Sequence, residues 1–111
     1  MSRMAKTPDP PYVAVIFSSL RVTLNGDDYS RTAERMEELA GLEPGFLGIE
    51  SARDESGYGI TVSYWKDLQS AHRWKDNAEH RLAQQRGRSR WYRNYAVRIA
   101  VVERDYGHSN D

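Results

Sequence analysis

The strands predicted at the two ends of this chain are apolar on both of their faces. Residues 12–22 read YVAVIFSSLRV and residues 95–104 read YAVRIAVVER. Successive side chains of a strand point to opposite faces, and in both runs apolar residues occupy both sets of positions. A strand of this kind must be covered on two sides. Whatever the rest of the 111 residues forms, it has to be compatible with two covering layers.

A helix and a hairpin are predicted after the first strand. Residues 25–28 supply a turn and an acidic helix start, and from Tyr29 to Ala40 the apolar residues recur with a spacing near 3.6. Gly41 is expected to end this helix. Pro44 and Gly45 then turn the chain into two short strands, residues 46–53 and 58–65, which form a hairpin.

A second helical region is predicted between the hairpin and the last strand. Asp67 can cap it, and apolar residues continue to Ala83. We expect an interruption near Asp76 and Asn77, which would leave two short helices. The order βαββαβ is that of ferredoxin-like α+β domains, with one antiparallel sheet and two helical regions on one face.

Two helical regions on one side leave the second face of the sheet to be covered by something else. We expect a second copy of the chain, packed sheet against sheet in a symmetric homodimer. The predicted organisation is a flexible N-terminal arm at residues 1–11, one domain at residues 12–104 and a polar tail at residues 105–111. The arm, which carries Pro8, Pro10 and Pro11, is alternatively a strand-exchanging segment.

The charge balance and the lack of cysteine narrow the classes of partner. Sixteen basic and sixteen acidic residues cancel, so no overall field attracts nucleic acid or an anionic membrane. No apolar run approaches the roughly 20 residues of a membrane span. Without cysteine there is no disulfide, thiolate nucleophile or thiolate metal site, which suits a reducing compartment. We therefore expect a cytoplasmic protein with a small-molecule ligand and no nucleic-acid or membrane partner.

Four short motifs occur in order along the chain: PGFLG from residue 44, YWK from residue 64, AHRW from residue 71 and EH at residues 79–80. With these motifs, residues 12–104 resemble the antibiotic biosynthesis monooxygenase family of dimeric α+β barrels. The resemblance implies a ligand cavity between the sheet and the helices. It also implies oxidation of aromatic or polyketide-like compounds without metal or flavin, because the electron-rich substrate itself gives an electron to oxygen.

Such a cavity needs a proton acceptor and aromatic walls, and the chain offers six candidates. We take His80 and Trp74 as candidate catalytic residues, because an imidazole takes and returns a proton near neutrality. Pocket candidates are Tyr64, His72, Trp91 and Tyr92. The competing interpretation makes the tryptophans core residues and pairs His72 with Asp76 on the surface.

Heme is the alternative cofactor. Heme-degrading relatives resemble one another at a first-strand asparagine, a tryptophan and a ligating histidine about ten residues later. Here Ser19 and Gln84 occupy the asparagine and histidine positions, and His80 comes six residues after Trp74. The expectation is therefore an enzyme without a cofactor.

Two other functions are compatible with the element order. A non-catalytic small-molecule-binding or stress-associated dimer would explain why no complete catalytic set is visible. RNA recognition is disfavoured, because Ile60 stands where that fold needs a stacking aromatic residue. The arginine cluster between Arg81 and Arg93 is either a ligand-binding patch or a solvated surface.

Overall fold

The structure, a computed structural model, describes residues 4–21, 26–86 and 92–108. Its elements in chain order are β1 Tyr12–Arg21, α1 Gly26–Leu42, β2 Phe46–Arg53, β3 Tyr58–Trp65, α2 Leu68–Arg86 and β4 Tyr92–Val102. The strands form one antiparallel sheet in the order β2-β3-β1-β4. The predicted ferredoxin-like βαββαβ architecture is confirmed.

The hydrophobic core lies between the sheet and the two helices. On the sheet side it contains Val13, Val15 and Trp65, which share one face because strand side chains alternate. The helices contribute Ala40, Ala71 and Trp74, with Met36, Leu39 and Ala78 packed against them. The apolar periodicities predicted from the sequence therefore define this face of the sheet.

Helix α2 begins where predicted but is not interrupted. The backbone N–H of Ser70 donates to Asp67 Oδ1 at 2.8 Å, so Asp67 is the N-cap. This hydrogen bond lowers the pKa of Asp67. The expected break near Asp76 and Asn77 is wrong, since the helix runs from Leu68 to Arg86. Its sequence contains no glycine or proline, and the low helix propensity of Asp and Asn costs only about 0.7 kcal/mol each.

Some element ends differ from the predicted ones by a few residues. Helix α1 begins at Gly26 and continues through Gly41 to Leu42. Strand β4 begins at Tyr92, three residues before the predicted start, because its pairing with β1 continues past a register shift between Leu20 and Arg21. Such extensions depend on the neighbouring strand, which the local sequence pattern does not reveal.

Residues 4–11 and the tail make contacts at one end of the sheet face that is turned away from the helices. The N–H of Ala5 donates to Glu50 Oε2 at 2.9 Å, and Thr7 Oγ1 donates to the Tyr12 hydroxyl at 3.1 Å. The Tyr12 hydroxyl in turn donates to Asp105 Oδ2. Tyr12 and Ala14 are only 5% exposed, although neither belongs to the core under the helices. The rest of this face, which we call the open face, retains exposed apolar side chains such as Ile60 and Tyr58.

Candidate functional site

The sheet face that the two helices cover is called the helix side. Two tryptophans join the sheet to α2 at one end of this face. Trp65 ends β3 and is fully buried, and its ring stacks on that of Trp74 with centroids 5.8 Å apart and planes at 24°. The rings of Phe46 and Trp65 are in a T-shaped contact, with centroids 5.5 Å apart and planes at 76°. The buried Trp65 Nε1–H donates to Ser63 Oγ at 2.9 Å, which satisfies its only polar group. Trp65 and Trp74 therefore form a buried aromatic surface, which we call the tryptophan wall.

A polar row crosses the sheet at the other end of the helix side. Arg53, Gly59 and Ser19 are cross-strand neighbours on β2, β3 and β1. Arg53 Nη2 donates to Ser19 Oγ at 2.8 Å, and Arg53 Nη1 donates to the carbonyl of Gly57. Ser19 is 2% exposed. The sheet therefore holds a guanidinium and a buried hydroxyl together below the helices.

Gly59 makes this arrangement possible. A Cβ atom at Gly59 would lie 2.8 Å from Cζ of Arg53 and 3.0 Å from its Nε. The guanidinium therefore crosses directly over the glycine to reach the next strand. A larger residue at this position would meet the arginine side chain, because ordinary carbon contacts begin near 3.5 Å.

His80 lies on α2 between the two ends of the helix side. The helix starts beside the end of β3 and returns the chain to the start of β4, so it runs from the tryptophan wall toward the polar row. His80 follows Trp74 by six residues, which is about 9 Å along a helix axis. The His80 side chain lies outside the part of the chain that the structure describes.

Trp74, the other candidate catalytic residue, is 7% exposed and takes part in the core. One of its ring faces is occupied by Trp65. The location agrees with a wall of a cavity between sheet and helix, and it also agrees with a packing role. The role of Trp74 as a candidate catalytic residue therefore stays a prediction.

Tyr64 and His72 are placed away from this wall. Tyr64 points to the opposite sheet face, since it neighbours Trp65 in the strand, and its hydroxyl donates to Glu50 Oε1 at 2.7 Å. Burial, followed by this hydrogen bond, raises the pKa of Tyr64 to about 12. His72 is exposed on α2, and its expected partner Asp76 instead lies 3.4 Å from Lys75 Nζ. Tyr64 is therefore on the other face of the sheet from Trp74, and His72 is on the exposed side of α2.

The remaining predicted residues fall partly or wholly outside the described chain. Trp91 belongs to none of the described ranges, and Tyr92 is described only as the first residue of β4. The side chains of the arginine cluster from Arg81 to Arg93 are likewise outside the description. Within residues 4–21, 26–86 and 92–108, no three His, Cys, Asp or Glu residues are grouped as metal ligands. The same ranges contain no helix of the length and apolarity that crossing a membrane requires.

Sequence reasoning did not select Arg53 as a site residue. The position of Arg53 in the sequence nevertheless indicates a buried or partnered charge. Arg53 lies four residues after Ile49 in β2, so the alternation of strand side chains places both residues on the face that the helices cover. A charged residue on a covered face needs a partner, and that partner is Ser19.

Comparison with known proteins agrees with this architecture. The model of the antibiotic biosynthesis monooxygenase family matches residues 25–86. The Uncharacterized protein YqjZ of Bacillus subtilis is 52% identical over 104 residues, which cover 94% of this chain and 90% of that protein. Jasmonate monooxygenase ABM of Pyricularia oryzae is 34% identical over 94 residues, which cover 80% of this chain and 42% of that protein.

Among solved structures, a mutant of SnoaB, a cofactor-independent oxygenase from Streptomyces nogalater, superimposes with a TM-score of 0.69. The match covers 87% of this chain and 98% of that chain at 11% sequence identity. At this identity the likeness concerns the fold alone.

Proposed function

Because the chain belongs to the antibiotic biosynthesis monooxygenase family, we propose that it is a cofactor-independent monooxygenase for a small aromatic, quinone-like or polyketide-like compound. The observation that carries the proposal is the pairing of an aromatic wall at Trp65 and Trp74 with the polar pair Ser19 and Arg53 on the same side of the sheet. An elongated, flat compound with oxygen atoms at one end is the substrate class that could meet both features, because they lie at opposite ends of the same sheet face.

For an anthrone-type substrate, the reaction oxidises a ring CH₂ group to a carbonyl with molecular oxygen. Loss of a proton from the substrate gives an electron-rich anion, which passes an electron to O₂. One oxygen atom becomes the new carbonyl and the other leaves as water, which also takes up the two hydrogens. The substrate supplies all the electrons, so the reaction balances without a bound reductant.

We assign three tasks to the residues of the chain. His80 accepts the substrate proton, since an imidazole can take and return a proton near neutrality. Arg53 and the Ser19 hydroxyl donate to the oxygen on which negative charge develops. Trp74 packs against the flat face of the substrate and holds the substrate beside α2.

Oxygen consumption with a panel of hydroquinones and anthrones tests this function. We expect saturable uptake by the wild type, a decrease of about 100-fold in kcat for His80→Ala and a smaller loss for Arg53→Gln. His72→Ala, an exposed histidine on the same helix, is the matched control and should retain full activity. Uptake no faster than in buffer for every compound would contradict the proposal.

Binding without turnover is the second candidate function, and the location of Trp74 favours it. A tryptophan whose ring face is already used in packing serves a binding wall as well as a catalytic one. In that case, tryptophan fluorescence would change saturably with an aromatic ligand while oxygen uptake remained at the buffer rate.

Heme binding is tested separately by titration with hemin. The Ser19 hydroxyl already accepts a hydrogen bond from Arg53, and the cofactor-independent proposal predicts no specific Soret shift. A shift in the wild type that disappears in His80→Ala would replace this proposal with heme chemistry.

We further propose that the protein is a cytoplasmic homodimer formed through the open face. The exposed apolar side chains Tyr58 and Ile60 on this face support the dimer, and the absence of cysteine is compatible with a reducing compartment. Light scattering should give twice the 12.8 kDa mass of one chain.

A further inference from the structure

The polar row on the helix side of the sheet extends to the fourth strand. Ser19 pairs with Gly59 on β3 and with Tyr95 on β4, and Gly59 pairs with Arg53 on β2. Residues that lie directly opposite each other on adjacent strands point to the same sheet face. Tyr95 therefore adds a third side chain with a hydrogen-bond donor to the row that holds Arg53 and Ser19.

The Tyr95 ring is supported from one side and accessible from another. It packs against Phe17, with ring centroids 5.6 Å apart and planes at 31°. Phe17 precedes Ser19 by two positions in β1, so both side chains lie on the helix side. Val97, the next residue of β4 on this face, packs against the core, whereas Tyr95 is 39% exposed. A tyrosine with a packed ring and an accessible end is suited to binding, because it combines an apolar body with a polar tip.

Phe17 and Tyr95 give the polar row an aromatic surface of its own. The tryptophan wall belongs to the opposite end of the same face, since Trp65 follows Gly59 by six positions in β3. An elongated substrate whose oxygen-bearing end lies over the polar row would have that end beside the Phe17–Tyr95 pair. The two aromatic surfaces would therefore contact different parts of one substrate.

The side chains of the row are suited to oxygen acceptors. A guanidinium only donates, and no residue of the row carries a negative charge. The Ser19 hydroxyl accepts from Arg53 Nη2 at 2.8 Å, so its single hydrogen can be donated only to a different atom. The Tyr95 phenol adds a further O–H. Such a set favours an edge of the ligand that carries several oxygen atoms over an edge that carries an amine.

We propose that Tyr95 determines substrate specificity by donating a hydrogen bond to a second substrate oxygen, beside the oxygen that Arg53 and Ser19 bind. This inference rests on the oxygenase proposed above, and it narrows the substrate class to aromatic compounds with at least two oxygen atoms on one edge. A site that hydrogen-bonds a substrate group discriminates against the analogue that lacks this group. Because Tyr95 is partly exposed, we expect a preference of about 3- to 10-fold, the range of a single neutral hydrogen bond.

Two anthrones that differ only in their hydroxyl groups test this role. One is a dihydroxyanthrone with a hydroxyl on each side of its carbonyl, and the other is anthrone, which has the carbonyl alone. Quenching of tryptophan fluorescence in the absence of oxygen measures both dissociation constants without turnover. In Tyr95→Phe, the dissociation constant of the dihydroxyanthrone should rise about 3- to 10-fold and that of anthrone should stay unchanged.

Oxygen uptake with the same two compounds gives a second measurement. Tyr95→Phe should raise KM for the dihydroxyanthrone with little change in kcat, because the hydrogen bond forms in the ground state and in the transition state alike. The phenylalanine ring can still pack against Phe17, so urea denaturation should show nearly wild-type stability. Tyr106→Phe, at a tail residue that is 96% exposed, is the control and should bind both compounds like the wild type.

The binding measurement separates this proposal from the oxygenase itself. A preference for the dihydroxyanthrone that disappears in Tyr95→Phe supports the role of Tyr95, even if no oxygen is consumed and the oxygenase proposal fails. An unchanged preference in Tyr95→Phe, equal weakening of both compounds, or a wild type that binds neither would each overturn the role of Tyr95.

Discussion

The indole rings of Trp65 and Trp74 stack 5.8 Å apart and 24° from parallel, which fastens the start of α2 to the end of β3. Trp74 follows Trp65 by nine positions in the chain, and the N-cap at Asp67 starts the helix between them. Trp65 is completely buried, and Trp74 packs against it. The helix side of the sheet is organised around this contact.

Truncation of Trp74 should therefore reduce stability strongly. Trp74→Ala leaves a cavity beside Trp65, and we expect a loss of about 3–5 kcal/mol in the free energy of unfolding. Trp74→Phe retains an aromatic ring against Trp65 and should lose clearly less. Urea denaturation measures both. His72→Ala, on the exposed side of the same helix, should change the free energy by less than about 0.5 kcal/mol. Equal losses for Ala and Phe at position 74 would show that the stack is unimportant.

Removal of the Ser63 hydroxyl should lower the free energy of unfolding, because this hydroxyl accepts the hydrogen bond of the buried Trp65 ring. In Ser63→Ala the buried Nε1–H loses its acceptor at 2.9 Å, and an unsatisfied buried donor costs about 1–3 kcal/mol. Thermal and urea unfolding report the loss. Ser51→Ala, an exposed serine on β2, is the control and should be nearly neutral. A neutral Ser63→Ala would mean that another acceptor replaces the hydroxyl.

Substitution of Gly59 should displace Arg53 from Ser19. In Gly59→Ala the new methyl group would lie 2.8 Å from Arg53 Cζ and 3.0 Å from the Ala52 carbonyl, so we expect a loss of about 1–3 kcal/mol and weaker substrate binding. Gly41→Ala is the matched control. Apart from its chain neighbours and the backbone of its own helix, no atom lies within 4 Å of the added methyl group, and the helix should gain up to about 1 kcal/mol. Unfolding and ligand titration of both variants compare the two positions, and equal effects would refute the steric argument.

Alkaline titration should detect the environment of Tyr64. Its pKa is raised from 10.0 to about 12, first by burial and then by the hydrogen bond to Glu50. A raised folded-state pKa means that the contribution to stability is fully present below pH 10 and is lost as the pH rises through about 12. Glu50→Gln should lower this pKa only part of the way, because burial remains. Tyrosinate absorbance, with Tyr64→Phe as the reference, measures the shift. An unchanged titration in Glu50→Gln would contradict the assigned cause.

Much of the fold was predictable because it depends on local periodicity. The alternation that assigned Trp65 and Tyr64 to opposite faces of β3 is confirmed, and so is the cap at Asp67. The break expected at Asp76 and Asn77 is wrong because tertiary packing outweighs the weak helix propensity of these two residues. In the structure, Asn77 Nδ2 reaches Glu43 Oε1 at 3.4 Å, and Lys75 pairs with Glu79 one turn later, so the helix has support through this point.

The candidate site was predictable only in part. Trp74 was identified from its motif and lies on the expected side of the sheet, whereas Tyr64, taken from the neighbouring motif, lies on the other. Arg53 was missed since no motif contains it. Its relevance appears only when β2 and β1 are placed on either side of β3 and Gly59 leaves room between them.

The sequence by itself determined which residues alternate, where helices begin and which sheet face each strand residue occupies, because these follow from steric rules acting over a few residues. The tertiary structure decided which distant residues meet. Arg53 reaches Ser19 across 34 positions and Tyr12 reaches Asp105 across 93. Such meetings depend on strand order and pairing register, which are properties of the whole packed sheet and of no single segment.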